Sequence, residues 1–167
     1  MATFSFKTVQ KIPADMETAW SFFSDAGNLQ AITPGNLGFT ILSDRTDSKM
    51  YAGQIIEYLV RPVWGIPIYW MTEITHVQEH VLFVDEQRVG PYRIWHHQHH
   101  FRVITGGVEM TDIVHYRNPF GLIGNLANRF FVEEQLRKIF EFRFKKIEEL
   151  FGSWDGVANP ITFYKSF

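Results

Sequence analysis

Polar and apolar residues alternate with period two through most of the chain, and the period lengthens to a helical one near both ends. Thr3 to Gln10 sets Phe4 and Phe6 against Thr3, Ser5 and Lys7, which predicts a first strand. Pro13 opens a helix at a position that needs no amide hydrogen, and Met16, Ala19, Trp20 and Phe23 recur behind it at helical spacing. Gly27 and Asn28 end that helix, and a short helical piece around Leu29 to Ile32 stops at Thr33-Pro34. Strand-like segments then follow at about 39–45, 54–60, 68–77, 80–89, 93–105 and 108–117. Turn residues separate several of them: Asp47-Ser48, Pro62 with Gly65, Gly90-Pro91, and Gly106-Gly107, the last a hairpin signal. After a loop over 119–124, a long helix is expected from about 125 to 151, with Phe130, Leu136, Ile139, Phe140, Ile147 and Leu150 at its apolar positions.

One strand, two small helices, about six more antiparallel strands and a long terminal helix make an α+β domain with a curved sheet of about seven strands. The sheet has to bury one face, and the last helix is the element long enough to cover it. A curved sheet wrapped on such a helix leaves space between the two, so this arrangement predicts a binding cavity. The expected organisation is a single domain over residues 1–151 and a tail over 152–167 whose Trp154, Phe163 and Tyr164 are apolar enough to pack.

Composition narrows the class. The 167 residues fit one domain, and 46% apolar content argues against disorder. The 16% aromatic fraction suits a large core or an aromatic-lined pocket. A net charge of −2 with scattered basic residues offers no electrostatic footprint for nucleic acid. No apolar run approaches the ~20 residues that span a bilayer, and the N-terminus carries no signal-peptide pattern. The chain has no cysteine, so it has neither disulfides nor thiolate chemistry. A cytoplasmic location is the default expectation, with no cofactor.

Candidate chemistry concentrates in the run Trp95-His96-His97-Gln98-His99-His100-Phe101. Alternation places Trp95, His97, His99 and Phe101 on one face and His96, Gln98, His100 and Arg102 on the other. Phe83, Asp85 and Gln87 share a face of the preceding strand, and Met110, Asp112, Val114 and Tyr116 share one of the following strand. If all three sets point inward, His97 and His99 lie close to Asp85, Gln87 or Asp112. Four readings of that cluster follow. It can be a buried polar network that sets strand register. It can be the polar end of a small-molecule site. His97 or His99 can act as a general acid/base oriented by a carboxylate. Or His-x-His can chelate, with further ligands from Asp85, Asp112 or Glu73; no spacing demands a metal, and none is expected.

The order of elements and the residues that mark them resemble the START-like, helix-grip superfamily, which includes polyketide cyclases/dehydrases and Bet v 1-like proteins, and within it the bacterial SRPBCC group. The resemblance covers about residues 3–151. It rests on Pro13 with Ala19, Trp20 and Phe23, and on Asn28-Leu29 with Ile32-Thr33-Pro34. Phe83-x-Asp85-x-Gln87-x-x-Gly90-Pro91-Tyr92-x-x-Trp95-x-His97-x-His99-x-Phe101 carries it further, as does Asp112-x-x-x-Tyr116-x-x-Pro119-x-Gly121-x-x-Gly124. It implies a deep, mostly apolar cavity between sheet and C-terminal helix, and it carries over no shared catalytic triad.

The expected function is therefore binding of an apolar or amphipathic small molecule. The proposed contacts are Trp70, Phe83, Trp95, Phe101, Tyr116 and Phe130 as apolar walls, with Asp85, Gln87, His97, His99 and Asp112 as polar groups. One alternative is a cyclase or dehydratase acting on a polyketide-like or aromatic substrate, with His97 or His99 moving the proton. Another is an interaction module without ligand, in which the tail and the apolar loop over 61–67 (Trp64 at its tip) recruit a partner or a second copy of the chain. Phe131, beside Phe130, is expected in the core or the cavity wall.

Overall fold

The computed structural model describes residues 2–43, 49–61, 65–119, 131–154 and 159–166. Strand β1 (Thr3–Ile12) leads into helix α1 (Met16–Phe23). Strands β2 (Thr40–Ile41), β3 (Ile55–Val60), β4 (Ile68–Gln78), β5 (Leu82–Val89), β6 (Ile94–Ile104) and β7 (Gly107–Arg117) follow, then helix α2 (Glu133–Phe151) and strand β8 (Ile161–Ser166). The eight strands form one antiparallel sheet in the order β2-β3-β4-β5-β6-β7-β1-β8. Strands β2 to β7 run as a meander, because each short turn lets a strand pair with its predecessor. The first strand then closes beside the last of the meander, Phe4 opposite Tyr116 and Ile12 opposite Val108.

Helix α2 lies along the inner face of the sheet. Its buried stripe is Leu136, Phe140, Phe144 and Ile147, spaced at one and two helical turns, with Arg143 on the same stripe. One apolar cluster joins Trp20 and Phe23 of α1 to Phe83, Phe101, Met110 and Ile147. A second joins Phe4, Phe6, Val114 and Tyr116 to Phe140 and Phe144. A third, under β3 and β4, contains Phe39, Ile56, Tyr58 and Ile74. The clusters lie at different places along the sheet, and a cavity opens where the helix and the sheet diverge.

Local chemistry explains where elements depart from the pattern. Helix α1 starts after Asp15 rather than at Pro13, because the Asp15 carboxylate accepts the Thr18 amide at 2.8 Å and supplies the N-cap. The short helical piece is a 3-10 turn at Ala26–Gln30, capped by Asp25, with a second at Gly35–Leu37. The strand expected over 39–45 pairs over Thr40–Ile41, since the amides of Leu42 and Ser43 both converge on the Glu57 carbonyl and the ladder stops there. Strand β5 begins at Leu82, two residues late, because His80 takes a left-handed φ of 62° in the β4–β5 turn.

The tail contributes the eighth strand: β8 pairs with the outer edge of β1, Phe6 opposite Phe163. Phe131 is 73% exposed, contrary to the core or cavity position expected of it, because the helical turn preceding α2 points its ring outward. Phe130, Trp64 and the loop motif at Gly121 and Gly124 lie outside the described residues.

Candidate functional site

The cavity has a volume of about 450 Å3. Its floor is the inner face of β3 to β6, its roof is the stripe of α2 around Leu136, Ile139, Phe140 and Arg143, and its far wall is the α1 to 3-10 region. Aromatic rings frame one side. Trp70, Tyr92 and Trp95 contact one another pairwise at ring-centroid distances of 4.9 to 5.7 Å, and Tyr58 stacks on Trp70 at 5.8 Å. The Tyr58 hydroxyl is 2.6 Å from the Thr72 hydroxyl; burial holds it well above the ordinary tyrosine value and so protonated.

A buried ionic cluster forms one end of the cavity. Strand register sets it up: Asp85 stands opposite His97, and His99 stands opposite Asp112. Because His97 and His99 are two residues apart on one strand, their rings stack, with centroids 3.7 Å apart. Each carboxylate then reaches both rings. His97 Nε2 donates to Asp112 Oδ1 at 2.8 Å, and His99 Nε2 donates to Asp85 Oδ2 at 2.8 Å. His97 Nδ1 is 3.5 Å from Asp85 Oδ2. His99 Nδ1 is 2.9 Å from Asp112 Oδ1 but is not aligned for a hydrogen bond, so that contact is electrostatic. Thr8 donates to the other oxygen of Asp112 at 3.2 Å, and the Arg143 guanidinium is 3.8 Å from Oδ1.

These neighbours set the protonation states. Burial opposes ionisation of Asp112, yet the Arg143 guanidinium and the two adjacent imidazoles outweigh it and hold the carboxyl well below the usual range. Asp85 is likewise lowered against burial, by the two imidazoles and Arg143. Burial also lowers His97, helped by the charge on His99. His99 loses to burial but gains more from Asp112 and Asp85, so it is raised. The arrangement is two carboxylates, one guanidinium, one imidazolium and one neutral imidazole, with balanced charge.

The inner and outer faces of β6 separate as alternation predicts. His97 and His99 are 6% and 5% exposed, while His96 bonds Glu86 at 2.9 Å on the outer face and His100 bonds Gln98 there. Trp70, Phe83, Asp85, Trp95, His97 and His99 border the cavity. Gln87, Phe101, Asp112 and Tyr116 lie off its described wall. Gln87 clasps the backbone of Tyr92, donating to its carbonyl at 2.6 Å and accepting its amide at 3.2 Å, so the β5–β6 turn takes up its amide group. Phe101 is enclosed by Trp20, Phe23 and Phe83. Tyr116 is fully buried against Phe4 and Phe6. Asp112 sits behind the imidazoles, on their far side from Asp85.

The sequence matches the profile of the polyketide cyclase / dehydrase and lipid transport family over residues 12–143. The chain belongs to this family. No curated protein sequence matches it. As a polyketide cyclase / dehydrase and lipid transport family member it shares its fold with solved structures of low identity. The protein TTHA0849 from Thermus thermophilus superposes with a TM-score of 0.66 at 15% identity, covering 87% of this chain and 94% of that one. A START superfamily protein from Mycobacterium smegmatis gives 0.65 at 14% identity, covering 88% and 99%. Ara h 8.0201 gives 0.58 at 11% identity, covering 88% and 99%. The fold is thus the helix-grip fold of START-like proteins, and among the described residues no helix is long and apolar enough to cross a membrane.

Pattern reading missed Arg143, Thr8 and Gln10. All three carry a signal in hindsight. Arg143 falls on the apolar stripe of α2, three residues after Phe140 and four before Ile147. Thr8 and Gln10 continue the inward alternation of Phe4 and Phe6, and Gln10 donates to the Phe144 carbonyl at 3.0 Å, tying β1 to α2.

Proposed function

We propose that the chain binds an apolar or amphipathic small molecule in the cavity between the sheet and α2, apolar body against Trp70, Trp95 and Ile139, polar end toward Asp85, His97, His99 and Arg143. The observation that carries the reading is the pairing of an apolar-walled cavity of about 450 Å3 with one confined polar end. Ligand sites of roughly 300–1,000 Å3 have this form. Burying about 200 Å2 of apolar ligand surface contributes about 5 kcal/mol before association costs, enough for micromolar binding with a few hydrogen bonds.

The test is a thermal-shift and tryptophan-fluorescence screen of the full chain against fatty acids and multi-ring aromatic compounds, with native mass spectrometry of protein from its own host. A ligand at about 100 times its Kd raises the melting temperature by roughly 5–10 °C. An Ile139→Trp variant, which fills the cavity from the helix side, should fold and lose the shift. No co-purified molecule and no shift across the panel would sink the proposal.

A second reading has its own support: the two cavity-facing imidazoles oriented by carboxylates suit proton transfer in a cyclase or dehydratase acting on a polyketide-like or aromatic substrate. A His97→Gln variant that still binds the ligand but loses turnover would favour the enzyme; unchanged turnover would exclude His97. A partner-recruiting module without ligand has no use for such a cavity.

A further inference from the structure

We propose that Asp85, His97 and His99 form a binding site for one divalent first-row transition-metal ion at the polar end of the cavity. The facing ligand atoms are Asp85 Oδ2, His97 Nδ1 and His99 Nε2. Each of these residues offers a ligand atom within 4.8 Å of the others, and the carboxylate oxygen is 3.5 Å from one imidazole nitrogen and 2.8 Å from the other. Ligands held about 2.1 Å from one ion lie about 3.0 Å apart in octahedral and about 3.4 Å apart in tetrahedral coordination. The two carboxylate–imidazole spacings bracket those values, so an ion between Asp85 and the imidazoles requires little movement of the carboxylate.

A second observation is independent of those distances. Histidines that ligate a metal usually turn the opposite ring nitrogen toward a carboxylate or carbonyl, which sets the tautomer and the ring plane. His97 does this here, donating from Nε2 to Asp112 Oδ1 at 2.8 Å, and the same oxygen faces the opposite nitrogen of His99, Nδ1, at 2.9 Å in an electrostatic contact. Asp112 is itself held by Thr8 and faced by Arg143. The cluster therefore has a metal-facing side made by Asp85 and a supporting side made by Asp112.

The donor set limits the ion. Two imidazoles and one carboxylate, with no thiolate in the chain, suit Zn2+, Co2+, Fe2+ or Ni2+ rather than the oxygen-seeking Ca2+ and Mg2+. Three protein ligands from neighbouring strands leave further coordination positions directed at the cavity, where an oxygen of the bound molecule or water would complete the shell. Imidazoles engaged at both nitrogens have no position free for proton transfer, so metal binding would replace the acid–base reading. Ligand binding by the apolar walls does not depend on it.

The experiment titrates the metal-free full chain with Co2+ alone, following the visible ligand-field bands and the heat of binding. One equivalent should bind. Asp85→Asn should weaken it by roughly 100-fold or more, and an outer-face double variant, His96→Gln with His115→Gln, should stay within about twofold of the parent. Folded parent protein that takes up no Co2+, binding that survives Asp85→Asn, or binding lost in the outer-face variant would overturn the proposal. If Asp85→Asn does not fold, imidazole nitrogen NMR of the parent with Zn2+ decides. His97 Nδ1 and His99 Nε2 should move to metal-bound positions; signals that stay in place overturn the site. Loss of the thermal shift with apolar compounds reports on the cavity, and loss of Co2+ on the metal site, so the two fail separately.

Discussion

Arg143 enters the interior from α2 with its guanidinium 3.8 Å from Asp112 and its plane over the rings of Phe23 and Phe140, at 5.5 and 5.6 Å. Its side chain is 9% exposed, so little water shares its charge. Replacing Arg143 with Met keeps the packing stem and leaves two buried carboxylates facing one imidazolium. Removing one partner of a buried ionic cluster typically costs about 3–5 kcal/mol. Urea unfolding should show a loss of that order for Arg143→Met, and a loss below about 1 kcal/mol would mean that water or proton uptake relieves the carboxylates. At this scale alternation made Asp85, His97 and His99 legible, because period two assigns faces without knowledge of neighbours. Gln87 shares their parity, yet the β5–β6 turn claims its amide group. Arg143 was hidden by its residue type, since a charge on an apolar stripe is ordinarily read as an interruption rather than as part of the interior.

Strand β4 shows how an element can mislead a strict alternation. Its ladder with β5 shifts register between Met71 and Thr72 and again between Ile74 and His76. The second shift reverses parity: Trp70 and Ile74 face the interior, and so does Val77 rather than His76. Bulges of this kind bend a strand and increase its twist, which curves the sheet around α2 and helps open the cavity. The β6–β7 hairpin is the opposite case. Gly106 takes a φ of 88° in the turn, as the Gly-Gly pair implied, and a Cβ on Gly107 would collide with the carbonyl oxygen of Ile12 where β7 meets β1. Gly107→Ala should therefore separate the β1–β7 junction and lower stability by about 1–3 kcal/mol, measured by thermal melting. An unchanged melting temperature would show that the strands part there without cost.

The molecule as a whole depends on what covers the sheet's edges and face. Strand β8 screens the outer edge of β1, and Phe163 stands 5.2 Å from Phe6. Deleting residues 159–167 should leave the cavity in place but expose a long edge strand, giving a lower melting temperature and concentration-dependent association in sedimentation. A truncated chain that melts and sediments as the parent does would deny β8 that role. The order of elements, the curved antiparallel sheet on a terminal helix, and the two faces of β6 were readable from the residues, because hydrophobic periodicity and turn chemistry are local properties. The nearness of His97 and His99 to Asp85 and Asp112 was readable too, from alternation on consecutive strands, but the entry of Arg143 that balances their charge was not. The cluster joins three consecutive strands to a helix distant in the chain, and its distances follow from strand register and from the angle at which α2 crosses the sheet. The same holds for the cavity, whose volume is the space that packing leaves between surfaces, a quantity no single segment carries.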